Sequence, residues 1–311
     1  MIEIFKTIDN KLTKLDDFEE GSWINIINPT AEEVDDIERR FDIEHSYLVS
    51  AIDIEERSRI EVNDKNQTLI IADIPVIEKE EDKELYNTIP LSIIVLPTCI
   101  ITICMEKNAV IDDFIDNRVK GFFTNYRNRF VLQLLYRGSY TFVRYLRHID
   151  KITEKVEKQL YKSMENDELL DLLALQKGLV YFSNSLKSNE LVLEKMLKLD
   201  YLKQYPDDMD LLEDVIIENK QAMEMTSVFR GILSTTMETV ASVISNNVNN
   251  VMKFLTSITI LITIPTLITS FYGMNMYLPL AGTKASYLVI IGISILACIF
   301  PIYFLYKRKM F

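Results

Sequence analysis

FLTSITILITIPTLITSF (254–271) and YLVIIGISILACIFPIYFLY (287–306) are two runs without a single charge, joined by YGMNMYLPLAGTKAS (272–286). Each run is long enough to span hydrocarbon as a helix. The segment between them is short, so the two spans form a hairpin whose outer ends face the same side. Lys253 precedes the first span and Lys307, Arg308 and Lys309 follow the second, whereas the turn carries only Lys284. The excess of basic residues on one side places the N-terminal part and the C-terminus in the cytoplasm and the turn outside. The chain is thus expected to be a multi-pass protein of the cell (inner or plasma) membrane, in contact with the lipid bilayer. The competing reading is a pair of buried core helices, which the length of the charge-free runs disfavours.

Working back from the hairpin, the composition changes abruptly. From 254 to 306 the only charged residue is Lys284, so all 46 acidic residues lie in 1–253. Of the 34 basic residues, Lys284, Lys307, Arg308 and Lys309 lie beyond 253, which leaves 30 against 46, a net charge of −16 over the first 253 residues. Such an excess of acid argues against nucleic acid and fits cations as partners, with solubility as the plainer explanation. Cys99, Cys104 and Cys298 form no CxxC pair, and His45 and His148 are the only histidines. That excludes a Cys/His zinc site and reads as free thiols in a reducing compartment. The N-terminal MIEIFKTIDN carries no apolar signal-peptide core.

The first 125 residues read as a mixed α/β domain. SWINII (22–27) predicts a strand, and PTAEEVDDIERRF a helix opened by a capping box of Thr30 and Glu33. HSYLVSAID (45–53) predicts a short helix. Two strands follow around a polar turn in 59–77, two more in 88–97 and 99–105, and a helix in 109–117. Apolar residues at helical spacing predict two long antiparallel helices over 130–164 and 166–200, within a segment 126–207. In QYPDD (204–208), Pro206 ends one segment and Asp207 or Asp208 caps the next. From there to Pro265 there is no proline, and Gly231 is the only glycine before Gly273. A single stalk helix over 208–272, roughly 100 Å long, therefore carries the first span. The remaining divisions are an outer turn at 273–285, a second span at 286–306 and a basic tail at 307–311.

Counted back from Ser270 at alternating spacings of four and three, the long helix presents Ser270, Thr266, Thr263, Thr259, Thr256, Met252, Asn249, Ser245, Ser242, Glu238, Thr235 and Gly231. This is a heptad seam that is polar where a coiled coil would be apolar. Close packing of membrane helices accounts for some of the hydroxyl residues. A water-lined face accounts for the seam's continuation below the span through Asn249 and Glu238. One helix cannot enclose water, so the second reading requires several copies about an axis. Met252, with Leu255 three residues on, would narrow such a path and close it by dewetting.

Tyr272-Gly273-Met274-Asn275 at the end of the first span resembles the GMN motif of the CorA family of magnesium channels. The setting supports the resemblance: an acidic domain, a very long helix, two spans and a basic tail. NNVMKFLT (249–256) is similar to the family's stretch at the mouth of the pore helix, and Pro265 recurs in the middle of that helix. The resemblance is strongest over 208–311; over 1–200 it rests on the order of elements. It implies an α+β cytoplasmic domain followed by long helices and a two-helix transmembrane hairpin, assembled as a homopentameric funnel. The first span lines the pore and the second surrounds it.

The resemblance further implies a selectivity filter of Gly273, Met274 and Asn275. Asn275 amide oxygens would hold hydrated Mg²⁺ through its waters, Gly273 would let the backbone turn and expose a carbonyl, and Met274 would pack against neighbouring helices. Read without the family, Asn275 is equally a helix C-cap. Met252 and Leu255 match the hydrophobic gate, and Asn249 matches a polar ring beneath it. Thr256, Thr259, Thr263, Thr266 and Ser270 complete the pore lining, with Thr263 standing where the family has a methionine. Mg²⁺ is implied both as cargo and as a regulatory ion that closes the channel from the cytoplasm. The regulatory residues implied are Asp214, with Glu80 as partner, and Glu238 on the stalk; a merely solvated acidic face is the alternative for them.

The turn lacks the acidic residue that many relatives carry in MPEL, which weakens cation attraction at the mouth. GMN rather than GIN favours Mg²⁺ over Zn²⁺, and Co²⁺ or Ni²⁺ are expected to pass as well. Two alternatives stand beside a Mg²⁺ channel: a Zn²⁺, Co²⁺ or Ni²⁺ transporter of the same family, and a membrane-anchored scaffold without a pore. No phosphate loop, catalytic triad or catalytic histidine setting is present in the sequence, so an enzyme is not expected.

Overall fold

The computed structural model describes residues 1–80, 83–163, 166–198, 206–274 and 286–307. The chain separates into two compact units, Met1–Thr236 and Met237–Phe311.

The first unit is built on a seven-stranded sheet in the order β2-β1-β3-β7-β6-β5-β4. Its strands are β1 (Ile2–Ile8), β2 (Lys11–Leu15), β3 (Trp23–Ile27), β4 (Arg59–Val62), β5 (Thr68–Glu80), β6 (Lys83–Val95) and β7 (Ile100–Cys104). All pairs are antiparallel except β3 with β7, where Trp23 lies opposite Ile100 and Ile27 opposite Cys104. Strands 22–27, 59–77 and 99–105 form where the sequence predicts them, while β6 starts five residues before its predicted start at 88. β1 and β2 form a hairpin with no counterpart in the sequence reading. Asp9 and Asn10 occupy its turn with φ of 50° and 64°, the left-handed pair that a two-residue hairpin turn requires.

The β-branched strands serve two cores. Along β5, Leu69 and Ile71 point to one face, and Ile70, Ala72 and Ile74 to the other, the period-two alternation of a pleated strand. Against the first face pack α1 (Ala31–Phe41) and α2 (His45–Ala51), with Ile37, Tyr47 and Leu48 buried. The capping box forms as predicted: Glu33 N–H donates to Thr30 Oγ1 at 3.2 Å, and Thr30 N–H to Glu33 Oε2 at 2.9 Å. Against the second face lie α3 (Ala109–Ile115), α4 (Arg127–Ser163) and α5 (Asn166–Met196). Trp23 centres this core, its ring 5.2 Å from those of Phe5 and Phe130, and its Nε1–H donates to Thr102 Oγ1 at 2.8 Å.

α6 runs unbroken over Pro206–Tyr272, 67 residues, with Pro265 inside it. Its start corrects the sequence reading. Pro206 opens the helix, and Asp207 and Asp208 lie in its first turn rather than at the cap. Proline suits that place because its missing N–H has no partner there anyway, and first-turn carboxylates face the positive end of the helix dipole. Within the first unit α6 buries Leu212, Val215, Asn219, Ala222, Thr226, Leu233 and Thr236. The spacing of this stripe is that of a helix lying along a core, and Leu212 and Val215 join the cluster around Trp23.

The second unit holds the rest of α6 and α7 (Ser286–Lys307). Both helices have a window apolar and long enough to cross a membrane, with only 6% and 11% of those windows buried. Core helices of a soluble protein would be buried, so that alternative is set aside.

Burial pushes the Asp73 carboxyl up, against hydrogen bonds from Ser185 and Ser58 that pull it down. A carboxyl raised in the folded state carries a cost that is absent below its unfolded pKa and grows as pH rises through the folded value. Asp73→Asn is therefore expected to raise the melting temperature of the detergent-solubilised protein at pH 7, with the gain fading towards pH 4. Thermal unfolding across that range checks it.

Candidate functional site

The polar seam lies on the face of α6 turned away from its packed stripe. In the first unit Leu233 and Thr236 are buried, whereas Gly231 and Thr235 are exposed. In the second unit Val240 and Ser257 are buried, whereas Ser242, Ser245, Asn249, Met252, Thr256, Thr259, Thr263, Thr266 and Ser270 are exposed. Thr235, Glu238, Ser242 and Thr259 each stand two positions beyond a buried residue, and at about 100° per residue two positions turn roughly 200°, to the opposite side of the helix. Among the described residues, the seam positions from Ser242 to Ser270 are thus solvent-exposed in one chain.

The seam's threonines share one geometry. Thr256 Oγ1 donates to the Met252 carbonyl at 2.7 Å and Thr259 Oγ1 to the Leu255 carbonyl at 2.8 Å. Thr263 donates to Thr259 O at 2.7 Å and Thr266 to Ile262 O at 2.8 Å. Below the span Thr235 donates to Gly231 O at 3.1 Å. Each hydroxyl has one hydrogen and two lone pairs. With the hydrogen held by the helix's own carbonyl, the oxygen can only accept from the seam side. The stripe is thus a line of acceptors, suited to cations and to the outward-pointing hydrogens of a cation's water shell, and poor for anions. Met252 and Leu255 interrupt it as its apolar step; both are more than half exposed.

At the top of α6 the ladder closes on Gly273, whose N–H donates to Thr269 O at 2.9 Å and Ser270 O at 3.2 Å, and Met274 N–H reaches Phe271 O at 3.4 Å. Gly273 is not in the left-handed region, so backbone freedom is not what the position uses. A Cβ there would sit 3.3 Å from the Thr269 carbonyl oxygen, a tight contact with the chain's own last turn. Met274 is exposed. Asn275, the last residue of the motif, lies outside the described residues, as does Lys284.

The acidic residues singled out from the sequence fall in different parts of the chain. Asp214 is exposed on α6. It lies with Glu218 near Tyr136 of α4, whose hydroxyl is pushed up by burial first and then by these two carboxylates. Glu80 ends β5 opposite Lys83, and its side chain is outside the described set. Glu238 is exposed on the part of α6 in the second unit. Among the described residues no group of three or more His, Cys, Asp or Glu side chains converges as a metal site.

Two features of the second unit were missed in the sequence. Ser257, fully buried, donates to Lys253 O at 2.8 Å, and Ser294, also buried, to Ile290 O at 2.8 Å. Their small size at buried positions in apolar helices is the signal that would have found them. The second is the Cys298 thiol, 3.8 Å from the Leu261 carbonyl.

Comparison with known proteins agrees with this arrangement. The family model described as "CorA-like Mg2+ transporter protein" matches residues 18–308. The cobalt/magnesium transport protein CorA of Methanocaldococcus jannaschii is 27% identical over 298 residues, covering 92% of this chain and 90% of that protein. The magnesium transport protein CorA of Campylobacter jejuni is 25% identical over 316 residues, with the same coverage of 92% and 90%. The complete structure of the M. jannaschii CorA magnesium transporter superposes with a TM-score of 0.80 at 26% identity, over 98% of this chain and 96% of that one.

Because each seam hydroxyl bonds a carbonyl that also has its own helix N–H, removing it leaves the ladder intact. Thr259→Val and Thr263→Val are expected to keep helix content and to change stability by less than about 0.5 kcal/mol. Circular dichroism and thermal melts of the purified variants test this.

Proposed function

Since this chain belongs to the CorA-like Mg²⁺ transporter family, we propose that it is a membrane channel that conducts hydrated Mg²⁺ down its electrochemical gradient. The observation that carries the reading is the exposed stripe of α6 whose threonines, Thr256, Thr259, Thr263 and Thr266, hold their hydrogens on the helix and turn acceptors outward, just before the Gly273-Met274-Asn275 motif in the sequence. Several copies, a pentamer on the family pattern, set these stripes around one axis. Asn249, Thr256, Thr259, Thr263, Thr266 and Ser270 line the path, Met252 and Leu255 close it, and Gly273, Met274 and Asn275 form the outer filter. Mg²⁺ gives up its waters reluctantly and prefers octahedral oxygen coordination, so a lining that bonds the water shell passes the ion without stripping it.

Lys253 and Lys307 flank the spans on one side, which supports cytoplasmic termini and an outward turn. Mg²⁺ held between the acidic domains of neighbouring copies closes the channel. Asp214 is the residue placed there, with Glu80 and Glu238 as further candidates. This site belongs to the assembly, in keeping with the lack of a three-ligand cluster among the described residues of one chain. Co²⁺ is a second cargo, favoured by relatives named cobalt/magnesium transport proteins. Ni²⁺ shares its octahedral oxygen chemistry.

Replacing Asn275 by Ala is expected to reduce Mg²⁺ uptake into proteoliposomes at least tenfold; unchanged uptake overturns the filter. Comparing Mg²⁺, Co²⁺ and Zn²⁺ uptake with and without a pH gradient separates this channel from a proton-coupled zinc transporter, and a scaffold would move none of them. Asp214→Ala is expected to weaken the block by Mg²⁺ on the cytoplasmic side, so that the half-blocking concentration rises while the unblocked rate stays near that of the unmodified protein. An unchanged midpoint removes Asp214 from the regulatory site.

A further inference from the structure

Pro265 has no N–H, so the carbonyl of Leu261, four residues back in α6, loses its helix partner. In hydrocarbon an unsatisfied carbonyl costs several kcal/mol and must find a donor within the protein. The neighbouring carbonyls are served by α6 itself: Ile262 O accepts from the Thr266 hydroxyl at 2.8 Å and Pro265 O from the Thr269 hydroxyl at 3.0 Å. Leu261 O is served from the other helix, by the Cys298 Sγ of α7 at 3.8 Å. Both helices belong to the same compact unit.

We propose that Cys298 is a positioning residue for the conducting helix. Its thiol ties α7 to α6 at the one place where proline breaks the α6 ladder, and so sets the direction of the outer turns, 262–272, that lead to the filter. A thiol is a weak donor with a long reach. It satisfies the carbonyl while allowing the joint to open, which a continuous amide ladder would resist. Here the side chain acts through Leu261 and Pro265 and touches no ion. The inference rests on the proposed conduction path along α6.

The test uses the full-length protein with Cys298→Ala, Cys298→Ser, Pro265→Ala and the Cys298→Ala/Pro265→Ala pair in proteoliposomes. Cys298→Ala is expected to shift the Mg²⁺ concentration that half-blocks uptake by about two- to tenfold, the range that one net hydrogen bond makes in an equilibrium. Cys298→Ser keeps a donor and is expected to behave as the unmodified protein. In the Pro265→Ala background the residue at 265 regains an N–H for Leu261 O, so Cys298→Ala should add nothing. Equal shifts in both backgrounds, or no shift in either, overturn the proposal.

A readout independent of flux is the rate at which a membrane-permeant maleimide labels Cys298. Cys99 and Cys104 are buried and burial pushes their thiols up to about 11, so labelling reports Cys298. Pro265→Ala should release the thiol and speed labelling, and an unchanged rate overturns the contact. Unmodified protein that conducts no ion would sink the conduction reading instead, and the labelling comparison still decides the contact.

Discussion

A helix that leaves a protein core and enters hydrocarbon must keep every backbone polar group paired, because nothing outside the chain will pair it. α6 meets that requirement over 67 residues with a proline inside. The local consequence is visible at each exception. Thr and Ser hydroxyls fold back onto carbonyls along the span, Gly273 closes the last turn on Thr269 and Ser270, and a thiol from α7 reaches the carbonyl that Pro265 leaves open. The threonine hydroxyls add a second donor to carbonyls that already have their helix N–H, and their lone pairs remain for whatever occupies the seam.

The sheet domain fixes one side of that helix. Its Trp23-centred face takes in Leu212 and Val215, and Asn219 adds a hydrogen bond from Nδ2 to the Leu186 carbonyl of α5 at 3.1 Å. With the apolar stripe of α6 in the first unit occupied in this way, Gly231 and Thr235 on the opposite side remain exposed. Exposed apolar residues on the inner helix, Ile217, Val228 and Ile232, are more than an isolated soluble helix would leave in water, as expected of a chain that meets other copies. The net charge of −16 over 1–253 would make neighbouring copies repel. In the proposed assembly a divalent cation between them would relieve that repulsion, so the acidic composition is compatible with the proposed regulation.

Much of this was legible in the sequence because the signals were periodic or compositional. The charge-free runs, the capping box at Thr30 and Glu33, and the unbroken proline-free stretch each follow from one local rule. The β1–β2 hairpin escaped because its strands, IEIFKTI and KLTKL, alternate weakly, and only Asp9-Asn10 marks the turn. The start of α6 was misplaced because proline was weighed as a breaker, although at a first helical position it is an initiator. The Cys298–Leu261 contact spans 37 residues of sequence and joins two helices, and no local pattern encodes it. The seam itself was readable, but not that its hydroxyl hydrogens are already engaged.

That engagement bears on which ions the path suits. A seam of free hydroxyls would offer donors and acceptors alike and would not distinguish an anion from a cation by hydrogen bonding. With their hydrogens held by the Met252, Leu255, Thr259 and Ile262 carbonyls, Thr256, Thr259, Thr263 and Thr266 would offer a chloride ion on the proposed path no hydroxyl donor, whereas a hydrated divalent cation would find acceptors for its outward-pointing water hydrogens. Such a lining reads the water shell rather than the bare ion. Mg²⁺ and Co²⁺ both accept octahedral oxygen shells, so they look alike to it. Discrimination between them has to come from geometry at a narrower place on the proposed path.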